Sequence, residues 1–309
     1  MSVSVSVILP VYNRSHSLPE ACRSVLNQSY RDLELIIVDD ASTEDLKPVV
    51  DALEDDRVRY IRHQRNAGAA AARNTGLAEA KGRMIAFQDS DDLWLPGKLA
   101  SQVELLESQP AEVGVVTAGK VVYGIDSARV PGPGKATYGP KPESRMKLED
   151  DQVRRSITMN RLSLQNALFR RDCYPDPIWF DPLARANNDW EFSIRLVQHT
   201  KILEVVGPVV MGFRSDDSIS GDPRKRISGL LRIMRKNRHL EARYPREYRR
   251  NFYTLGRAIW KQGKKKTAMR LMLKGLRGDP SLLPYMAKSF LVGGYRRRLK
   301  QRRSTGATV

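Results

Sequence analysis

The chain has 309 residues, enough for one large domain or for a domain with an appendage. Its formal net charge of +18 is distributed unevenly along the chain. The segment from Arg224 onward contains 26 Lys and Arg and 3 Asp and Glu, and the residues before it contain 27 basic and 32 acidic side chains. The two cysteines are far apart in the sequence, which argues against a disulfide framework and fits a reducing cytosol. The N-terminus lacks the basic region of a signal peptide, and no apolar run is long enough to span a bilayer.

Strands and helices alternate over the first hundred residues. Apolar or alternating runs predict strands at 3–9, 33–38, 58–61 and 84–87, and helices at 18–26, 46–53 and 66–80. Ser17 with Glu20, and Ser42 with Asp45, have the spacing of capping boxes at the first two helices. This succession predicts βαβ crossovers and therefore an α/β protein with a parallel, doubly wound sheet.

The fourth predicted strand ends in a cluster of carboxylates, Asp89, Asp91 and Asp92. Carboxylates this close raise one another's pKa unless a cation neutralises them, and Mg²⁺ or Mn²⁺ is a common solution. An acidic turn that caps the next helix would be the simpler interpretation of an isolated cluster. However, the second strand also ends in acids, at 39–40, and the first in 10–13, and parallel strands bring such ends to one edge of the sheet.

The second half is less regular. We predict a helix after Pro96, short strands at 113–117 and 120–123, a loop at 125–141, a strand at 164–169, a helix at 187–198 and a strand at 202–213. From Arg224 the pattern is helical and basic. We therefore predict one domain at 1–223, with a first half at about 1–110 and a second half at about 111–223, and a basic helical region at 224–309.

Four segments, taken in order, resemble glycosyltransferase family 2. They are 5–13, 35–43, 66–76 and 89–91, the last having the Asp-X-Asp pattern. The resemblance covers about residues 3–220. It implies the GT-A fold, a Rossmann-like, mainly parallel sheet with flanking helices, here followed by a basic C-terminal helical extension. It also implies an inverting transferase that uses a nucleotide sugar, with a UDP-sugar favoured. The resemblance further implies that the domain at 1–223 is catalytic, with the donor bound by its first half and the acceptor by its second half.

The resemblance also implies roles for individual residues. The implied donor-binding residues are Pro10, Tyr12, Asp40, Gly68, Arg73, Asp89 and Asp91. Asp91, with Asp89, would hold a divalent metal, Mn²⁺ or Mg²⁺. Asp189 takes the position of the catalytic base, while Asn188 stands where the family usually has Glu. The alternative for Asp189 is an acid that stabilises the helix N-terminus.

Some positions depart from the family pattern or stay open. Arg214, Ser218 and Ser220 match a segment near the end of the domain, but Asp216 stands where a His is expected, so the third metal ligand is open. Gln165 and Asn166 either face the acceptor or end a buried strand. The four histidines are interpreted as surface or structural residues.

The basic region predicts an anionic partner. Apolar residues at 230–234 among Lys and Arg favour an amphipathic helix on an anionic membrane, and 285–292 is a second candidate anchor. The alternative is that this stripe packs on the protein. We predict a cytoplasmic transferase, peripheral at the inner face of the membrane, that uses a sugar or lipid-linked acceptor in surface polysaccharide or glycolipid synthesis. The competing hypothesis is a nucleic-acid- or membrane-binding protein with an inactive transferase-like domain.

Overall fold

The structure is a computed structural model that describes residues 3–124, 136–184, 186–214 and 223–286. The chain forms two compact units, Met1–Ile233 and Met234–Val309. The first unit contains the sheet and the second unit is helical in its described part.

The described strands of the first unit form one mixed sheet. They are β1 (Val5–Val11), β2 (Leu33–Asp39), β3 (Val58–Arg62), β4 (Met84–Phe87), β5 (Leu93–Trp94), β6 (Val113–Gly124), β7 (Ala136–Gly139), β8 (Ala167–Arg170) and β9 (Lys201–Arg214). Their order is β3-β2-β1-β4-β8-β6-β9-β5, and β7 pairs with β6. The neighbours from β3 to β4 are all parallel, whereas β8 is antiparallel to both β4 and β6. The predicted α/β fold is thus confirmed, with the continuous parallel part in the first half.

Helices cover both faces of this sheet. They are α1 (Leu18–Leu26), α2 (Lys47–Asp51), α3 (Ala69–Glu79), α4 (Lys98–Glu107), α5 (Gln152–Thr158), α6 (Asn188–Leu196) and α7 (Pro223–Lys236), the last ending inside the second unit. Because side chains alternate across a strand, Val7 and Leu9 of β1 join a core with α1 and α4, and Ile8 joins another core with α3 and α6. All seven residues of β1 are buried, which fits a central parallel strand.

Close approach of α3 to the sheet requires a glycine. A Cβ atom on Gly76 would lie 2.4 Å from Cγ2 of Ile8. A side chain at position 76 would therefore force α3 away from the Ile8 side chain of β1.

Several predicted elements differ from the structure. Residues 113–123 form one strand, and 136–139, predicted as loop, form β7 on its edge, while 164–166 form a 3₁₀ turn before β8. Neither predicted capping box forms, because tertiary contacts use the hydroxyls. Ser17 Oγ donates to the Ser90 carbonyl at 2.8 Å, and Ser42 Oγ accepts from the Asn13 amide at 2.9 Å.

The second unit contains α8 (Leu240–Arg243), α9 (Pro245–Lys261) and α10 (Lys265–Gly278). A three-residue turn with Gly263 at φ +82° joins α9 to α10, so the two helices form a hairpin. Small residues allow close packing, since a Cβ on Gly256 would lie 2.6 Å from Met272 Cγ. None of the helices in the described part of the chain has the length and hydrophobicity that a bilayer crossing needs.

Lys98 is a fully buried cation in the core of the first unit. The residue is 1% exposed, its Nζ donates to Gln102 Oε1 at 2.7 Å, and Nζ lies 3.9 Å from the centroid of the Trp94 ring. Burial lowers the pKa of Lys98 to about 7.

This burial predicts a pH-dependent stability. An unfolded lysine has a pKa of about 10.4, so between pH ~7 and ~10 the unfolded chain binds more protons and the fold gains stability as the pH rises. We expect the unfolding free energy of wild type minus that of Lys98→Met to rise by roughly 1.4 kcal/mol per pH unit in this window. Urea unfolding at several pH values measures it, with the exposed Lys81→Met as control. A difference that stays constant with pH would contradict the prediction.

Candidate functional site

Three parallel strands end at one edge of the sheet. In the register of the sheet, Val11 at the end of β1 pairs with Asp39 of β2, and Ile8 pairs with Phe87 at the end of β4. The segments that follow these three strands therefore lie side by side. Tyr12, Asp40, Asp89 and Asp91 are on these segments, whereas Pro10 is within β1, Gly68 and Arg73 belong to the start of α3, and Asp189 belongs to α6.

The segment after β1 is tied to the segment after β2. Asn13 Oδ1 accepts from the Thr43 amide at 2.7 Å, and the left-handed backbone of Asn13, φ +51°, is one that Asn tolerates. Of the predicted donor residues here, Pro10 is buried within β1 opposite Val38. Tyr12 is 45% exposed, so its side chain remains accessible at this edge.

Asp39 is a structural residue. It is fully buried, its Oδ1 accepts from the Ser42 amide at 2.8 Å, and its Oδ2 accepts from the Tyr60 hydroxyl at 2.7 Å. These bonds fix the turn after β2 and leave the neighbouring acid, Asp40, to face the next loop.

Asp40 organises the loop that precedes α3. Its Oδ1 accepts from the Ala67 amide at 2.8 Å and lies 2.8 Å from His63 Nδ1, and its Oδ2 accepts from the Gly68 amide at 2.6 Å. His63 Nε2 in turn lies 2.9 Å from the Thr75 hydroxyl. Because a carboxylate has about four acceptor positions, one position of Asp40 remains for an N–H group of a ligand.

The turn after β4 concentrates negative charge. Asp89 and Asp91 are partly exposed, whereas Asp92 is buried, accepting from Gln165 Nε2 at 2.8 Å and from the Phe213 amide at 3.1 Å. The pKa of Asp92 is raised to about 6, first by burial and then by the charge of Asp89, with a smaller contribution from Asp91. The charge of Lys120 and the hydrogen bond from Gln165 oppose this rise.

This charge fits a divalent cation. Among the described residues, no group of three or more His, Cys, Asp or Glu side chains forms a complete metal site. Mg²⁺ and Mn²⁺ nevertheless bind through one or two carboxylates when phosphate oxygens complete the coordination. Asp89 and Asp91 have carboxylate oxygens of the kind that such ions bind.

Arg73 connects the acidic turn to the start of α6. The residue is 8% exposed, and its Nη2 donates to Asp89 Oδ1 at 2.9 Å. Its Nη1 lies 3.5 Å from Asn188 Oδ1, and its guanidinium carbon is 5.8 Å from the centroid of the Phe180 ring. Asn188, which replaces the usual Glu of the family, therefore holds Arg73 without neutralising it.

Asp189 lies in the first turn of α6. Its Oδ2 accepts from Asn160 Nδ2 at 2.7 Å and its Oδ1 from the Trp190 amide at 2.8 Å. Although part of the residue is accessible to solvent, desolvation of the carboxyl raises the pKa of Asp189, and the hydrogen bonds and the charge of Arg73 oppose this rise. The charge of Asp89 also acts on it, which places the two carboxyls in one electrostatic environment.

Some predicted positions lie elsewhere or outside the description. Asp216, Ser218 and Ser220 are outside the described residues. Asn166 is buried in the 3₁₀ turn before β8, where its Nδ2 donates to the Ala118 carbonyl at 2.9 Å, and Gln165 Nε2 donates to Asp92.

Three residues of the site were missed by sequence reasoning. They are His63, which contacts Asp40, Asn160, which contacts Asp189, and Asp92, which was noted only as part of the acidic run. No local sequence pattern predicts the roles of His63 and Asn160, because each contact joins residues more than twenty positions apart.

The sequence of the chain is similar to those of known glycosyltransferases. The family model described as glycosyl transferase family 2 matches residues 6–176. An Escherichia coli protein named UDP-Glc:alpha-D-GlcNAc-diphosphoundecaprenol beta-1,3-glucosyltransferase WfaP is 40% identical over 105 residues, which are 34% of this chain and 42% of that protein. The chain covers less than half the length of each of the first curated relatives that it matches.

Two solved structures share the fold. S. aureus TarS 1-349 in complex with UDP-GlcNAc has a TM-score of 0.63 and 16% identity over 93% of this chain and 92% of that chain. The mannosyltransferase PcManGT from Pyrobaculum calidifontis, in complex with GDP-Man and Mn²⁺, has a TM-score of 0.62 and 19% identity over 95% of this chain and 82% of that chain. These likenesses confirm the predicted fold class.

The contacts of Asp40 predict a structural cost for its replacement. Asp40→Asn puts an amide NH₂ where one oxygen accepts a backbone N–H, so we expect a loss of about 2 kcal/mol of unfolding free energy. Asp45→Asn, a matched change at an exposed acid in the same loop, should change stability by less than about 0.5 kcal/mol. Urea unfolding compares the two variants. Equal stability of both variants would show that Asp40 does not hold the loop.

Proposed function

The chain belongs to glycosyl transferase family 2, and we propose that it transfers a sugar from a nucleotide sugar to an acceptor hydroxyl with inversion at the anomeric carbon. The observation that carries this proposal is the bridge that Arg73 makes from Asp89 of the acidic turn to Asn188 beside Asp189. A leaving-group site and a basic carboxyl are thereby held together. TarS with UDP-GlcNAc and PcManGT with GDP-Man support a nucleotide-sugar donor.

The donor would lie across the three strand ends. The remaining acceptor position of Asp40 suits the N–H of uracil, and the exposed ring of Tyr12 lies on the neighbouring segment. Asp89 would contact the ribose and diphosphate. A UDP-sugar is favoured on the resemblance of the second-strand motif, in which the residue matching Asp40 contacts uracil.

Asp91, with Asp89, would hold Mn²⁺ or Mg²⁺, since both are partly exposed carboxylates in a turn where three carboxylates lie close together. When bound, such an ion neutralises the diphosphate and stabilises the charge that develops on it as the sugar departs. Arg73 would keep Asp89 oriented in this arrangement.

Asp189 would act as general base. An inverting transfer needs a base on the sugar face opposite the leaving group, and Asp189 would accept the proton of the acceptor hydroxyl as that oxygen attacks the anomeric carbon. The raised pKa of Asp189 brings its proton affinity closer to what the reaction needs at neutral pH. Asn160 fixes one carboxylate oxygen by its hydrogen bond.

The acceptor would be a sugar or a lipid-linked sugar in surface polysaccharide or glycolipid synthesis. The name of the E. coli relative contains a diphosphoundecaprenol-linked sugar, which supports an acceptor of this class. The protein would work in the cytoplasm, peripheral at the inner face of the membrane, with its basic C-terminal region drawn to anionic lipid.

A thermal-shift panel tests the donor site. UDP, GDP, dTDP and CMP are each added with and without Mn²⁺ to wild type and to Asp91→Ala. At about 100 times its dissociation constant a ligand adds about 2.7 kcal/mol to stability. We expect one nucleotide, UDP, to stabilise wild type only with the metal, and Asp91→Ala to lose this response. No response of wild type to any nucleotide with Mn²⁺ would overturn the proposal.

The base assignment predicts a separate effect. Asp189→Asn keeps the shape of the side chain but removes the proton acceptor, so transfer from the donor identified by the panel should fall by about 10²–10⁴. Nucleotide release measures transfer, and the UDP–Mn²⁺ thermal shift should be unchanged. Asp176→Asn, at an exposed carboxyl, is the control. Full activity of Asp189→Asn would exclude it as the base.

A further inference from the structure

The helical hairpin of α9 and α10 carries many cations and a single acid, Glu247 in the first turn of α9. Residues 248–278 contain ten Lys and Arg and no Asp or Glu. All ten side chains are exposed. They are Arg249, Arg250, Arg257, Lys261, Lys264, Lys265, Lys266, Arg270, Lys274 and Arg277. We call this set the cationic surface.

Helix periodicity arranges these cations in strips. Lys266, Arg270, Lys274 and Arg277 of α10 are spaced by four, four and three residues, so they share one face of the helix, together with the exposed Leu273. On α9, Arg250, Arg257 and Lys261 are spaced by seven and four residues and also share a face. Each helix of the hairpin therefore presents one strip of cations to solvent.

The apolar faces of both helices are already used. Ala268 and Met272 of α10 are at most 3% exposed and pack with Tyr253 of α9. The apolar stripe predicted at residues 230–234 is also largely core, because Leu230 and Ile233 are 4% and 1% exposed, although Leu231 is 47% exposed. Insertion of an amphipathic helix would require these contacts to break. Arg249 is paired with Glu241 and Lys274 lies over the Phe252 ring, whereas Arg257, Lys261 and Arg270 are exposed cations that can meet an anionic surface without such a change.

We propose that the cationic surface adsorbs the protein to an anionic lipid bilayer by charge, without insertion of the apolar helix faces. This inference rests on the proposed function and deepens it, because it names the surface and the mode of contact with the membrane that holds a lipid-linked acceptor. Nearby Lys and Arg act additively on such a surface, and the attraction weakens with salt.

Nucleic acid is the other polyanion that a cationic surface can bind. Proteins that bind single strands add stacking aromatics to their cations. On this hairpin Tyr248 and Tyr253 are buried, Trp260 is half-buried against the core around Tyr253, and Phe252 is half-buried with Lys274 Nζ lying 4.0 Å from the centroid of its ring. None of these aromatic side chains is fully exposed for stacking on a base, so the observations favour the bilayer.

Vesicle binding tests the proposal with three variants. Arg257, Lys261 and Arg270 are changed together to Gln, and Lys81, Lys141 and Arg171, three exposed cations of the first unit, are changed together to Gln as a control of equal net charge. The third variant, Leu273→Ser, tests insertion. Binding is measured by co-sedimentation with POPC vesicles that contain about 30% POPG and with pure POPC vesicles, over a salt series, without nucleotide.

We expect wild type to bind the POPG vesicles, to ignore pure POPC and to dissociate as salt rises. The hairpin triple variant should bind about 100-fold more weakly, while the control triple variant and Leu273→Ser should stay within about threefold of wild type. Circular dichroism and the UDP–Mn²⁺ thermal shift check that each variant is folded. Because vesicle binding needs no nucleotide, it can fail or succeed independently of the transferase proposal.

Four results would overturn the inference. Equal binding to pure POPC, or a large loss in Leu273→Ser, would show apolar insertion. An equal loss in the control triple variant would show that net charge, not this surface, is what the membrane attracts. Tighter binding to a DNA or RNA duplex than to POPG vesicles at equal phosphate concentration would assign the surface to nucleic acid.

Discussion

Repulsion among the carboxylates at the end of β4 is the constraint on which the site depends. Burial raises the pKa of Asp92, and the charges of Asp89 and Asp91 raise it further. Arg73 pairs with Asp89, Lys120 and Gln165 oppose the effect at Asp92, and Asp89 and Asp91 are partly exposed. A divalent cation bound here would neutralise carboxylates of the turn together with a diphosphate.

The parallel half of the sheet was predictable because its signals are local. Apolar runs, their lengths and the acids after them fixed β1, β2 and β4, and parallel pairing then brought those ends together. What the sequence could not show are contacts between distant residues. Ser17 and Ser42 have the right spacing for caps, yet their hydroxyls bond elsewhere because tertiary partners compete. The hydrogen bond from Asn160 to Asp189 is likewise a tertiary contact, and no local sequence pattern predicts it.

Charge is divided unevenly along the chain. The carboxylates of the acidic turn lie within four positions, 89–92, and are buried or partly exposed, whereas the cations of the hairpin are spread over exposed helix faces. The periodic apolar stripe at residues 230–234 could not by itself show whether these residues face the core or a membrane. The structure shows that Leu230 and Ile233 are buried. The exposed cations Arg257 and Arg270 lie on other helices.

The central claim is that the acidic turn holds a metal together with a nucleotide diphosphate. Electron paramagnetic resonance of Mn²⁺ measures this directly, because free Mn²⁺ gives a signal that broadens on binding. The account predicts that wild-type protein with UDP removes one equivalent of the free signal, beyond what UDP alone removes, and that Asp91→Ala does not. The same signal in wild type and Asp91→Ala would contradict the account.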